Sequence, residues 1–110
     1  MLERELRKGT TPLLILALLE AQPRHGYELS KVMDAQSHGV LRLHPATLYP
    51  LLYSMEKSGW IVGRWVEKAG QRRRRFYQLT AAGRAALEQQ RTGWLAFAEA
   101  VGRVAGVSYA

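Results

Sequence analysis

The most concentrated cationic group in this chain of 110 residues is a run of four arginines, Arg72, Arg73, Arg74 and Arg75. Residues 57–75 contain seven basic residues and one acidic residue, a net charge of +6 out of the formal +7 of the whole chain. Guanidinium groups pair with phosphate oxygens, and such a focused positive charge favours a polyanionic partner. The alternative is a solvated charged turn. Because side chains alternate along a strand, we expect two or three of the arginines to make direct contacts.

A second set of polar side chains precedes the arginines and repeats every four residues: Tyr49, Tyr53 and Lys57. This spacing places them on one face of a helix, with Thr47 near its N-terminal end. Their hydroxyl and ammonium groups can donate to phosphate oxygens, the commonest kind of contact between a protein and DNA. The alternative is that one tyrosine folds back over a neighbouring hairpin, where Trp60 and Trp65 also need burial.

The hydrophobic pattern predicts the elements that position these side chains. The other face of the same helix has apolar residues at i, i+3, i+4 and i+7, namely Leu48, Leu51, Leu52 and Met55. After Ser58 and Gly59 the pattern changes to two short β-rich runs, residues 60–66 and 76–79, with Gly70 in the turn between them. A helix with a polar outer face followed by a basic β-hairpin is typical of a winged helix-turn-helix that binds DNA.

Pro50 leaves two alternatives for the start of this helix. If the helix begins at Pro45 or Ala46, Pro50 has no N–H to donate to the Ala46 carbonyl and its ring crowds that group. If Thr47 is the N-cap, Pro50 lies in the first turn and the conflict disappears. The residues themselves favour the late start or a distorted first turn.

The first part of the chain predicts another helix. Thr11 followed by Pro12 is a good helix start, because the hydroxyl can cap free amides and proline needs no hydrogen bond there. Residues 1–9 are charged and either fray or form a short helix of their own. Residues 13–19 are apolar on every side, which indicates burial on more than one face.

The segment that follows predicts a further helix and a strand. Gly26 precedes the helix, whose apolar face contains Leu29, Val32 and Met33. The helix is expected to stop before residue 37. Residues 40–43 alternate in a way that favours a short strand joining the later hairpin.

From Thr80 onward the pattern predicts one long helix that extends to about Val104. Along it, residues spaced by three and four form a heptad-like and mostly apolar seam: Leu87, Gln90, Trp94, Phe97, Val101 and Val104. The first 79 residues cannot bury so long a seam, which indicates pairing with a second subunit, together with Leu14 and Leu18 of the apolar first helix. We therefore expect a DNA-binding domain over residues 1–79 and a dimerisation helix over residues 80–110.

Several function classes lack their signatures in this sequence. There is no cysteine, and His25, His38 and His44 are too widely spaced for a metal site, which favours surface or capping roles. No nucleophile elbow or phosphate-cradling glycine loop is present, so we expect no enzyme and no cofactor. The apolar run 13–19 is far shorter than the roughly 20 residues that span a bilayer. We therefore expect a cytoplasmic protein that does not associate with a membrane.

Three blocks of the sequence together resemble the PadR-type bacterial transcriptional regulators. They are GTTPLLILALLEAQPRHGYEL, PATLYPLLYSMEKSGWI and RRRRFYQLTAAGR, in that order and within residues 9–95. The resemblance implies a winged-helix homodimer, joined by its C-terminal helix, that usually acts as a repressor at a pseudo-palindromic operator.

The resemblance also implies roles for individual residues. It places Thr47 and Tyr49 on the recognition helix, Tyr27 near the DNA on the preceding helix, and the arginine run in the wing. Proline is tolerated at position 50 in the family, which implies an early, somewhat distorted start of the recognition helix. Some relatives of this size hold flat aromatic compounds between their C-terminal helices, so Trp94 is a candidate wall for a small aromatic effector.

The predicted fold is mostly α-helical, with a small β-hairpin wing, and the predicted function is sequence-specific binding to double-stranded DNA by a homodimer. Two alternatives use the same basic hairpin. One is a nucleic-acid binder that is indifferent to sequence, and the other is a protein-interaction module that docks an acidic partner.

Overall fold

The computed structural model describes residues 2–107, and the side chains of residues 9–107. The elements are α1 (Leu2–Ala21), β1 (Arg24–His25), α2 (Gly26–Gln36), α3 (Pro45–Lys57), β2 (Ile61–Val66), β3 (Arg74–Leu79) and α4 (Ala81–Ala105). The three strands are antiparallel and form one sheet in the order β1-β3-β2. The predicted architecture, mostly helical with a small β-hairpin and a long C-terminal helix, is confirmed.

A single hydrophobic core joins all four helices to the sheet. Burying an aliphatic side chain contributes roughly 1.5–3 kcal/mol, so residues of this kind dominate the stability of the fold. The largest fully buried side chains come from five elements: Ile15 and Leu16 of α1, Leu29 of α2, Leu48 and Leu52 of α3, Ile61 of β2, and Leu87 of α4.

The predicted start of the first helix at Thr11 and Pro12 is wrong, because α1 continues through Pro12 without interruption. A proline inside a helix costs one backbone hydrogen bond and crowds the preceding turn. Here the turns that follow are held by burial of Ile15, Leu16 and Leu19, and α1 also packs against α4. Tertiary packing therefore outweighs the local signal.

The predicted strand at residues 40–43 is also wrong, because this segment is a loop. Its backbone makes a hydrogen bond to a nearby side chain and not to a strand, since Leu41 N–H donates to Ser37 Oγ at 2.8 Å. The loop follows a turn in which His38 and Gly39 have positive φ. The third strand of the sheet is instead β1, where Arg24 pairs with Tyr77 and His25 with Phe76.

Helix α3 begins at Pro45, so the late start with Thr47 as N-cap is wrong and the early start is correct. His44 occupies the N-cap position, and its carbonyl accepts from Thr47 N–H at 3.0 Å and Leu48 N–H at 2.9 Å. Pro45 fits the first position, where a missing N–H has no consequence. Pro50 lies inside the helix, where burial of the apolar face compensates for the lost bond. That face comprises the buried Leu48, Leu52 and Met55 and the half-buried Leu51.

The predicted hairpin forms, with β3 beginning two residues before the predicted run 76–79. Strands β2 and β3 pair over six positions, from Ile61 opposite Leu79 to Val66 opposite Arg74. Gly70 adopts a φ of 75° in the connection between them, a conformation that glycine reaches without strain. We call residues 61–79 the wing.

The C-terminal helix α4 begins at the predicted cap, where Thr80 Oγ1 accepts from Gly83 N–H at 3.0 Å. Gly83 lies directly against the carbonyl of Trp60, the residue before the wing, and leaves no space for a Cβ, which holds the start of α4 close to the base of the wing. The far half of the helix is mostly exposed, with Ala98 buried, and the molecule measures 54 Å along its longest axis. Arg91 bridges α4 to Glu20 of α1, with an Nη2 to Oε1 distance of 2.9 Å.

Candidate nucleic-acid interface

The outer face of α3 presents the predicted polar side chains to solvent. Tyr49 is 48% exposed and Tyr53 is 66% exposed, while Thr47 and Lys57 are also exposed. The Lys57 ammonium lies 5.7 Å from the centre of the Tyr53 ring, a cation–π contact that orients both groups. Exposed donors on the face opposite a buried apolar stripe are what a helix inserted into a groove of DNA requires.

Tyr49 connects α3 to the start of α2. Its ring fits against Gly26, where an added Cβ would lie 2.7 Å from the ring atom Cε1, so only glycine permits this approach. Tyr27, the next residue of α2, is 58% exposed, and the Lys31 ammonium lies 5.4 Å from its ring centre. The N-terminus of α2 and the first turns of α3 therefore present their tyrosines side by side.

The fold divides the four arginines into two pairs. Arg72 and Arg73 are exposed in the connection between the strands, whereas Arg74 and Arg75 begin β3 and are half-buried. The Arg75 side chain turns toward α3, where its Nη2 donates to Glu56 Oε2 at 2.6 Å. Arg73 instead lies over the ring of Trp65.

These side chains surround two adjoining grooves on one side of the molecule. The larger, of about 520 Å³, lies between the start of α2, α3 and the wing, and the smaller, of about 420 Å³, continues along α3. Thr47 lines neither groove. The larger groove is lined by His25, Gly26, Tyr27, Tyr49, Trp65, Arg72, Arg73, Arg74, Arg75 and Tyr77, and the smaller adds Tyr53, Glu56 and Lys57.

His25 forms the rim of the larger groove and caps α2, in agreement with the predicted capping role. Its Nδ1 accepts from Glu28 N–H at 3.2 Å. Burial lowers the pKa of His25, the positive charge of Arg74 lowers it further, and Glu28 opposes both. The neutral imidazole is the form that can accept this hydrogen bond, so the shift favours the capped state.

Two residues of this surface escaped the sequence analysis. Trp65 was expected to need burial, yet it is 53% exposed and faces the arginines. Trp65 lies in the strand that pairs with the arginine run, and this position could have indicated that its side chain faces the arginines. Glu56 carries a carboxylate into an otherwise basic surface, and no local pattern indicated its contact with Arg75, which is nineteen positions away.

The predicted dimer residues fall into two groups. Leu87 is fully buried within its own chain, so it has no surface to offer a partner, and its assignment to the interface is wrong. The others keep exposed or half-exposed surface: Leu14, Leu18, Trp94, Phe97, Val101 and Val104. The rings of Trp94 and Phe97 lie 5.8 Å apart, next to the exposed Leu95.

Among the residues described, no three His, Cys, Asp or Glu side chains are grouped so that they could hold a metal ion. Within the same part of the chain, no helix combines the length and the apolar character needed to cross a membrane.

Helices α1, α2 and α3, together with the small sheet whose basic hairpin lies beside an exposed helix face, define a winged helix-turn-helix protein. Residues 15–89 match the family model described as the transcriptional regulator PadR-like family. This match covers well over half of the chain, and the chain belongs to the PadR-like family of transcriptional regulators.

Individual relatives agree with this assignment. The chain is 38% identical over 88 residues to the transcriptional regulator Rv3488 of Mycobacterium tuberculosis, covering 80% of this chain and 78% of that one. A PadR family regulator from Eggerthella lenta has a similar structure, with a TM-score of 0.82, 28% identity and coverage of 97% and 91%. Bacillus subtilis PadR in complex with operator DNA has a TM-score of 0.67 at 22% identity, over 78% of this chain and 46% of that chain, and shares the fold.

Proposed function

We propose that this protein is a sequence-specific DNA-binding regulator that acts as a homodimer and represses transcription at a pseudo-palindromic operator. One observation carries the proposal. The exposed tyrosines of α2 and α3 and the arginines of the wing line one continuous surface, which concentrates hydrogen-bond donors and positive charge on a single side. In this arrangement α3 enters the major groove and the wing reaches the flanking backbone or minor groove.

The proposed contacts divide by chemistry. Thr47, Tyr49 and Tyr27 contact bases or the adjoining sugar edges from the helix termini, because these ends approach the groove most closely. Tyr53 and Lys57 reach phosphates along the strand. Arg72, Arg73 and Arg74 supply the salt-dependent attraction of the wing.

The proposed dimer rests on the apolar surface of α4. Trp94, Leu95, Phe97 and Val104 remain exposed on a helix of 25 residues, and a large contiguous apolar surface usually marks an interaction site. The dimer forms through this helix and the exposed parts of Leu14 and Leu18, and binding to successive major grooves requires its two copies of α3 to lie about 34 Å apart, one turn of DNA. Residues 1–79 then bind the operator and residues 80–110 join the subunits.

The proposed dimer can account for repression and for the binding of an effector. Repression requires only that a bound dimer excludes other proteins from the promoter, so the DNA-binding surface is sufficient for it. Trp94, tilted against Phe97, offers an aromatic wall on which a flat effector could stack between the subunits. Such a regulator works in the bacterial cytoplasm, where its DNA is.

Genomic selection tests the proposal directly. The purified protein is incubated with sheared DNA of its own organism at about 150 mM salt, which suppresses loose electrostatic binding, and the retained fragments are sequenced. Enrichment of a two-fold symmetric site is expected, with a preference of roughly a thousandfold or more over bulk duplex. Uniform retention would indicate a binder indifferent to sequence, and no retention at low salt would favour a protein partner for the basic wing.

A further inference from the structure

Among the four arginines of the run, Arg75 is the one whose side chain points most clearly toward another element of the fold. Its Nη2 lies 2.6 Å from Oε2 of Glu56, and the two side chains are only 29% and 28% exposed. Glu56 belongs to the last turn of α3, whereas Arg75 belongs to β3. This ion pair therefore joins the recognition helix to the wing.

The surroundings of the pair hold the Arg75 side chain in place. Glu56 Oε2 also accepts from the Gly63 N–H of β2, at 3.4 Å. A Cβ at Gly63 would collide with the Arg75 guanidinium, so the absence of a side chain there makes the space that Arg75 occupies. The guanidinium also lies 5.6 Å from the ring centre of Trp65 and 5.9 Å from that of Tyr77.

On the basis of the DNA-binding function proposed above, we propose that Glu56 and Arg75 form a clamp that fixes the wing relative to the recognition helix. Arg75 is then a positioning residue and not a phosphate contact. The clamp also gives a reason for a carboxylate on this surface, since a negative charge beside phosphates would otherwise weaken binding. Because two surfaces of DNA are contacted at once, a displaced wing loses contacts even when every arginine is present.

The clamp and a direct phosphate contact predict opposite results for one substitution. Glu56→Gln keeps the size of the side chain and removes its charge. If Arg75 binds phosphate, this change frees Arg75, removes a repulsive charge and strengthens DNA binding. If the clamp positions the wing, the same change weakens binding to the selected operator by about tenfold, the usual scale of a lost charge-assisted hydrogen bond.

The salt dependence of binding separates the two roles of the arginines. If the clamp exists, Arg75→Met weakens binding about as much as Glu56→Gln and leaves the slope of log K against log salt (the salt slope) unchanged. The matched control Arg72→Gln lowers this slope by about one. The double variant binds no more weakly than either single variant, because both remove the same contact. A tighter Glu56→Gln complex, or a slope lowered by about one in Arg75→Met, would overturn the clamp.

A measurement without DNA keeps this inference separate from the proposed function. Amide hydrogen exchange in the free protein is expected to accelerate about tenfold at Gly63 in Glu56→Gln, and to stay unchanged in Arg72→Gln. Gly63→Ala, which fills the space of the guanidinium, is expected to bind DNA like Arg75→Met. Unchanged exchange at Gly63 in Glu56→Gln refutes the clamp. Failure of the unmodified protein to prefer any duplex would instead refute the proposed function, and the exchange result would still decide the clamp.

Discussion

The Arg73 guanidinium carbon lies 4.5 Å from the centre of the Trp65 ring, although both residues are exposed at the rim of the basic groove. An indole ring is the aromatic surface that attracts a cation most strongly. The contact restricts an otherwise flexible arginine before any partner arrives, so less side-chain entropy is lost on binding. Trp65 and Arg73 thus act together as a prearranged part of the wing.

The first prediction concerns the charge of Arg73. Arg73→Gln is expected to weaken binding to specific and non-specific duplexes alike and to lower the slope of log K against log salt by about one, because one phosphate contact is lost. Titrations at several salt concentrations measure this slope. Arg103→Gln, which removes an exposed arginine at the far end of α4, is the matched control. An unchanged slope in Arg73→Gln would show that the wing points away from DNA.

The second prediction concerns the aromatic support. Trp65→Leu removes the ring and keeps every charge, so binding is expected to weaken by about threefold to tenfold with little change in the salt slope. In a Trp60→Phe, Trp94→Phe variant, which keeps Trp65 as its single tryptophan, operator DNA should also quench the fluorescence. Equal affinities of Trp65→Leu and the unmodified protein would show that Trp65 does not prearrange the arginine.

The third prediction concerns specificity at Tyr49. Tyr49→Phe removes one hydroxyl and preserves the ring that packs against Gly26. Affinity for the selected operator is expected to fall by about tenfold, while affinity for bulk duplex stays the same, because base contacts carry specificity and phosphate contacts do not. Competition titrations with both duplexes measure the ratio. An equal loss on both would remove Tyr49 from the specificity residues.

The fourth prediction concerns the dimer. Phe97→Glu places a charge in the exposed apolar surface of α4, and the dimer dissociation constant is expected to rise by at least about a hundredfold, the cost of disrupting a central aromatic residue of an interface. Sedimentation at a series of concentrations measures the dissociation. Gln89→Glu adds the same charge at an exposed position outside the seam and should leave the dimer intact. A monomeric unmodified protein would contradict the proposed assembly.

The sequence predicted best those elements whose signals are local. The second helix, the hairpin around Gly70 and the Thr80 cap follow from spacing and turn chemistry over a few residues, and all three formed as expected. The continuation of α1 through Pro12 and the inclusion of Pro50 in α3 depend instead on packing against distant elements. Local propensity cannot reveal such a tertiary effect.

On the candidate surface too, some features follow from local patterns in the sequence and others depend on contacts between distant elements. Charge and period indicated that Tyr49, Tyr53 and the arginines share one surface, and they do line adjoining grooves. These signals could not separate Arg75 from its neighbours, because its partner Glu56 lies on another element. Leu87 illustrates the converse error, since the seam continues the heptad pattern into the protomer's own core. Periodicity identifies an apolar face and leaves its partner undetermined.

The last prediction concerns the stability of the His25 cap at low pH. Burial and the charge of Arg74 lower the pKa of His25 in the folded state, whereas the unfolded chain has an ordinary histidine pKa of about 6.5. Between these two values the unfolded state binds more protons, so the contribution of His25 is complete above about pH 6.5 and is lost as the pH falls through that window. Protonation also removes the lone pair of Nδ1 that accepts from Glu28 N–H.

His25→Asn retains a side-chain acceptor that is favoured at N-caps and does not titrate. The melting temperature of the unmodified protein is therefore expected to fall relative to that of His25→Asn between about pH 8 and pH 5. Comparing the two proteins at each pH cancels the titration of the groups that they share. A difference that stays constant, or one that grows in favour of His25 as the pH falls, would show that the neutral imidazole does not stabilise the start of α2.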